Sequence, residues 1–167
     1  MKPFLAVVAL LVVVPAIGQQ SGAAQTTNTL VGTWRLISAT GKTERGQIIE
    51  EPYGHNPTGF LMYTADGRMM VIITNGGRKP FSISDRISAP ANERAEAFAT
   101  LVAYGGRYTI TGDKVIHHLE ISAVPNFLNT DNVRTIVKVE GKRLTLRTTP
   151  LFKGGQRTVE DLVWERM

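Results

Sequence analysis

Three histidines, four tyrosines and scattered arginines are the residues of this chain that can move or hold a proton. His117 and His118 are adjacent within Val115-Ile-His-His-Leu-Glu-Ile-Ser122, an alternating stretch that reads as a strand. Neighbouring strand residues point to opposite faces, so the pair cannot share one cavity. Val115, His117, Leu119 and Ile121 form the more apolar set, which points His117 inward and His118 outward beside Glu120. An inward His117 is a hydrogen-bonded core histidine, a general acid or base, or a group that orients a ligand. Tyr63, Tyr104, Arg107 and Tyr108 offer hydroxyl and guanidinium donors. Tyr53, His55 and Asn56 sit in a Pro- and Gly-rich stretch that reaches a ligand if it folds over a cavity mouth. Asn126 follows the His117 strand, where its amide can bind a carbonyl or simply form a turn. Alternation gives Arg134 to the set Arg134, Ile136, Lys138, and the cost of burying a charge favours the outer surface for it. Turned inward, Arg134 should pair with an acidic ligand or with Asp161. Three histidines, with one far from the other two and no cysteine, make a metal site unfavourable. No nucleophile elbow, phosphate loop, dinucleotide fingerprint or kinase signature is present, and no cofactor is expected.

The elements that must position these groups are short alternating runs. Strands are predicted over residues 30–39, 59–64, 68–74, 107–111, 115–122, 132–139, 143–148 and 157–166. Ala65-Asp-Gly67 supplies the positive φ of a hairpin between the second and third. In the first strand, Trp34, Leu36 and Ser38 share one face and Thr33, Arg35 and Ile37 the other. Residues 91–104 carry a helical pattern, with Ala95, Phe98, Leu101 and Val102 on one side, Pro90 before it and Gly105-Gly106 to end it. Thr40 to Thr58 and Pro150 to Gly155 read as connections. The predicted class is all-β: an eight-stranded antiparallel up-and-down barrel with one short helix between the third and fourth strands, closure removing the edges an open sheet would expose.

The chain begins with Lys2 and then an apolar run to Val14, followed by small residues at Ala16-Ile-Gly18 and Ser21-Gly-Ala23. Residues 1–23 read as a secretory signal peptide, cleaved after Gly18 or Ala23, and 24–29 as a disordered leader. Residues 30–167 form the one predicted domain. No Cys follows the apolar run, and the chain has none at all, so the exported protein must hold together without disulfides. The formal charge of +5 is spread without a basic run or aromatic interleaving, which argues against a nucleic-acid partner. The expected location is periplasmic or extracellular. No stable membrane insertion is expected after cleavage, and the expected state is a monomer or weak homo-oligomer.

The chain resembles the bacterial and fungal lipocalin-like domain family, a relative of the calycins. The resemblance is carried by Leu30-Val-Gly-Thr-Trp-Arg-Leu36, Pro52-Tyr-Gly-His-Asn-Pro57, Gly59-Phe-Leu-Met-Tyr-Thr-Ala-Asp-Gly-Arg-Met69, Tyr104-Gly-Gly-Arg-Tyr108, His117-His-Leu-Glu-Ile-Ser-Ala-Val-Pro-Asn126, Arg143-Leu-Thr-Leu146 and Leu162-Val-Trp-Glu-Arg166. It implies a small barrel with an internal cavity. It also implies that Gly32 and Trp34 open the first strand at the closed end, where an arginine of the last strand, Arg166, lies over the Trp34 ring. No single reaction follows from it. The expected function is binding of a small apolar or amphipathic molecule, with Tyr53, His55, Tyr63, Tyr104, Arg107, His117, Asn126 and Arg134 as ligand-binding candidates. The alternatives are a cofactor-independent isomerase, cyclase or hydratase using His117, and a barrel filled by its own side chains.

Overall fold

The computed structural model describes residues 29–153 and 155–167. The predicted signal peptide and residues 24–28 of the leader lie outside these. The strands are β1 (Gly32–Thr43), β2 (Ile48–Ile49), β3 (Thr58–Tyr63), β4 (Arg68–Thr74), β5 (Leu101–Thr111), β6 (Lys114–Ser122), β7 (Asp131–Glu140), β8 (Arg143–Thr148), β9 (Leu151–Lys153) and β10 (Gln156–Arg166), with helix α1 (Ala91–Ala99) between β4 and β5. The short strands β2 and β9 pair at the margins of β1 and β10. The other eight pair with their neighbours, and β1 pairs with β10, so the sheet closes into an eight-stranded antiparallel barrel. Trp34 stands opposite Arg166 in that closing register.

Alternation fills the interior. Leu61 and Tyr63 of β3, Met69, Val71 and Ile73 of β4, Val115, His117 and Leu119 of β6, and Leu144 and Leu146 of β8 are buried, while their neighbours face out. Three bulges shift this parity where period alone does not show it. A register shift between Leu36 and Ser38 turns Ser38 outward and Ala39, Gly41 and Thr43 inward. Ser38 therefore does not share the face of Trp34. A second shift between Ile136 and Lys138 leaves Arg134 and Ile136 toward the interior and sends Lys138 out to Glu140.

The helix is shorter than its sequence pattern. It stops at Ala99, where the Thr100 backbone N–H and hydroxyl both bond the Glu96 carbonyl. Leu101 to Tyr104 belong to β5 and pair with Thr74 to Val71. Tertiary pairing outweighs local propensity here, and Phe98 stays exposed instead of packing with Leu101. Gly105-Gly106 does not cap the helix. It lies opposite a bulge in β6, where Glu120 is the extra residue between Leu119 and Ile121, and the shift turns Ile121 outward, away from the face of Val115, His117 and Leu119. A Cβ on Gly106 would lie 2.0 Å from the His118 carbonyl oxygen and 2.8 Å from the Glu120 nitrogen. Gly106→Ala must push β5 off β6, and a loss of about 1–3 kcal/mol is expected in urea unfolding. An unchanged midpoint would show that the bulge can absorb a methyl group.

The end of the barrel opened by Gly32 is its floor. Trp34 is fully buried and its indole N–H donates to the Leu30 carbonyl at 2.8 Å. The Arg166 guanidinium lies 4.1 Å from the Trp34 ring centroid and donates to the Val31 and Thr29 carbonyls. Gly32 has φ +140°, and a side chain there would run into Arg166. The one Gly-x-Trp of the first strand and the penultimate arginine of the chain thus form a single closure.

Candidate functional site

Polar side chains gather above that floor. His117 on β6 is 2% exposed and lies between two tyrosines. Tyr63 of β3 meets its Nε2 at 2.6 Å, and Tyr104 of β5 meets its Nδ1 at 3.3 Å. Burial holds the imidazole well below its ordinary value of 6.5, and the Arg134 charge and then His118 push it the same way. A neutral imidazole has one N–H and one lone pair, so one tyrosine donates to the ring and the other accepts from it. Either arrangement leaves one tyrosine O–H unspent. The Tyr63 hydroxyl is held far above 10.0, first by burial. At neutral pH these groups form an uncharged chain.

Arg134 of β7 extends the chain. Its Nη2 donates to the Tyr104 hydroxyl at 3.4 Å and its Nη1 to the Val133 carbonyl at 2.9 Å. It is half-buried and lines the interior, against the outward placement that period and charge predict. The interior of this barrel is polar enough to receive it. Asp161 is not its partner. That carboxylate is held outside by Arg147 in a two-pronged pair, both distances 2.7 Å. Among the described residues no carboxylate forms an ion pair with Arg134.

Tyr53 comes from the loop between β2 and β3. Gly54 N–H donates to the Glu51 carbonyl, and Gly54 takes a positive φ of 69°, which turns the loop over the barrel. The loop also leans on Gly76, where a Cβ would lie 1.5 Å from the His55 carbonyl oxygen. The Tyr53 ring is buried and its hydroxyl donates to Glu160 of β10 at 2.7 Å. Burial first, then the Glu160 charge, drives the Tyr53 hydroxyl far above its ordinary value. Glu160 is 1% exposed, on the same strand face as Thr158, Leu162 and Trp164. Its backbone N–H donates to the Thr148 hydroxyl at 2.9 Å.

A cavity of about 40 Å³ lies among these groups. Tyr53, Tyr104, His117, Arg134, Thr148 and Trp164 give it polar edges, and Leu61, Val71, Ile73, Val102, Leu146 and Leu162 the apolar remainder. The Trp164 indole N–H is buried without a hydrogen-bond partner among the described residues. The space admits a water or two and falls well short of the roughly 300 Å³ of a small ligand pocket.

Of the residues singled out from the sequence, the structure brings Tyr53, Tyr63, Tyr104, His117 and Arg134 together. It does not bring in three others. His55 is exposed and pairs with Glu51 at 2.8 Å. Arg107 faces out by the plain alternation of β5, next to inward Tyr108, and pairs with Glu120 at 3.1 Å. Asn126 is exposed in a 3-10 turn, Pro125–Phe127. His118 faces out as expected, though its ring bonds Asp131 and Thr109 while Glu120 is taken by Arg68 and Arg107. Glu160, Thr148 and Trp164 were not singled out. The alternation Thr158, Glu160, Leu162, Trp164 in the last strand carried the signal, since Glu160 shares its phase with two large apolar residues.

The chain matches the model of the lipocalin-like domain over residues 31–167. A 4'-hydroxy-3'-methoxypropiophenone carrier protein of Aspergillus oryzae is 31% identical over 90 residues, which is 48% of this chain and 80% of that protein. Among solved structures, bovine odorant binding protein is similar with a TM-score of 0.43 and 16% identity, over 90% of this chain and 78% of that one. An uncharacterized protein of Bacteroides eggerthii gives a TM-score of 0.42 and 11% identity, over 83% of this chain and 99% of that one. With the family match spanning the whole barrel, from the Trp34 floor to the closing strand, the chain belongs to the lipocalin-like domain family.

Proposed function

We propose that this protein is an exported carrier that holds one small amphipathic molecule in the upper half of its barrel. The observation that carries the reading is the convergence of Tyr53, Tyr104, His117, Arg134 and Trp164 on one gap that has an apolar wall. A barrel filled only for stability gains nothing from a half-buried guanidinium and an indole N–H without a partner. Small-ligand sites combine an apolar wall with a few placed polar groups, and Leu61, Val71, Ile73 and Val102 supply the wall. Room comes from the loop that carries Tyr53, which belongs to no barrel strand; a shift of the ring toward the mouth that keeps its hydroxyl on Glu160 widens the gap without unpairing the sheet. The Aspergillus relative, by its name, carries an aryl ketone with a phenolic hydroxyl. A flat ring with polar ends suits this combination of wall and donors. Export rests on the composition of residues 1–23.

The test is native mass spectrometry of the secreted protein, followed by thermal unfolding with aryl ketones, phenols and fatty acids. A ligand at 100 times its Kd should add about 2.7 kcal/mol of stability. No bound mass and no shift across the panel would leave the filled barrel as the better account. The enzyme alternative fits less well. Both ring nitrogens of His117 are engaged by tyrosine hydroxyls, which leaves none facing a substrate.

A further inference from the structure

We propose that the bound molecule is a weak organic acid held as its anion, with its charged end against Arg134. The inference rests on the binding reading above and names the ligand class for that site. Arg134 lines the cavity, yet among the described residues its side chain bonds only a carbonyl and a tyrosine hydroxyl. Asp161, the one internal partner the sequence offered, is committed to Arg147 on the outside. This arrangement is tolerable because Arg134 is only half-buried and keeps contact with water. A molecule that enters and seals the mouth removes that water. If neutral, it leaves a desolvated guanidinium without a counter-charge, which is expensive. If anionic, it supplies the missing partner through charge-assisted hydrogen bonds.

The neighbouring groups agree with an anion. Trp164 on β10 presents an indole N–H without a partner among the described residues, and Tyr104 on β5 adds its O–H in the tautomer where it accepts from His117. His117 on β6 is uncharged there and so neither attracts nor repels. From β8, Thr148 spends its oxygen on the Glu160 backbone N–H. Glu160 is the group that would oppose an anion. It does not line the cavity, and Tyr53, which does, donates to its carboxylate. The wall is therefore rich in donors and poor in acceptors, with one cation.

The experiment is calorimetric titration of the mature protein with 4-propylbenzoate and octanoate, each beside its methyl ester. Wild type should bind each acid about tenfold or more tighter than its ester. Arg134→Met should remove that preference by weakening acid binding and tightening ester binding, while Arg134→Lys should keep part of it. Far-UV circular dichroism and the unfolding midpoint check that both variants are folded. Esters binding as well as acids would overturn the anion inference and leave the carrier reading standing. Binding of neither acids nor esters, together with no shift in the wider panel, would overturn both.

Discussion

Trp34→Ala should cost about 3–5 kcal/mol, the range for deleting a large buried aromatic. Few positions in the barrel combine so many losses. The ring is fully buried at the closed end, where β1 meets β10. Its indole N–H is the partner of the Leu30 carbonyl, which becomes an unsatisfied buried acceptor when the ring is gone. The Arg166 guanidinium loses the face it lies on, worth about 0.5–2 kcal/mol in stacking alone. For a domain stable by roughly 5–15 kcal/mol, such a loss takes up much of the margin. Urea denaturation followed by tryptophan fluorescence of the remaining Trp164 measures it. Arg166→Ala should cost less, because its guanidinium is only partly buried and water can take over the carbonyls of Thr29 and Val31. A Trp34→Ala loss below about 1.5 kcal/mol would show that the floor collapses onto the cavity and that the closure is not the anchor of the barrel.

That floor was expected from the family resemblance, carried by Gly32-Thr-Trp34 and by Leu162-Val-Trp-Glu-Arg166, because its parts meet across more than 130 residues. The hairpin at Asp66-Gly67 was readable from the chain alone because its signal is local. What the sequence hid is which face of a strand is the inside once the register shifts. The bulge after Leu36 moves Ser38 out, and the one after Ile136 separates Arg134 from Lys138, though period assigns them one face. The end of the helix was hidden by a different cause. Leu101-Val-Ala-Tyr104 fits a helix or a strand equally, and only pairing with β4 decides it. The misplaced arginine and the overlooked Glu160 share one error. Both follow from taking charge as a mark of the outside, and a barrel with a polar interior reverses that mark. Arg107, His55 and Asn126 lie near functional-looking motifs, but the alternation of β5, the Glu51 pair and the 3-10 turn aim them at solvent.

The stability of the wild-type protein should fall as pH drops below 6.5, and His117→Gln should remove part of that fall. The folded state holds the His117 imidazole neutral because it is buried, with Arg134 adding to the effect. The unfolded chain takes up a proton near its ordinary value of 6.5. Below that pH the unfolded state binds more protons than the folded one, so stability is lost as pH falls toward the depressed folded value. The slope for one such group approaches about 1.4 kcal/mol per pH unit. Glutamine keeps a donor and an acceptor for Tyr63 and Tyr104 but cannot be protonated. At pH 7.5 the variant should therefore be the less stable of the two, and the gap should close by about 1–3 kcal/mol between pH 6.5 and 4.5. Carboxylates such as Asp85 and Glu140, whose values are lowered by a hydrogen bond and a lysine partner, act on both proteins alike and cancel in the difference. Parallel stability curves would show that His117 takes up its proton inside the barrel over the same pH range as in the unfolded chain. The chain from Tyr63 to Arg134 would then carry two positive charges instead of one, and an anion would owe its binding to the histidine as much as to the arginine.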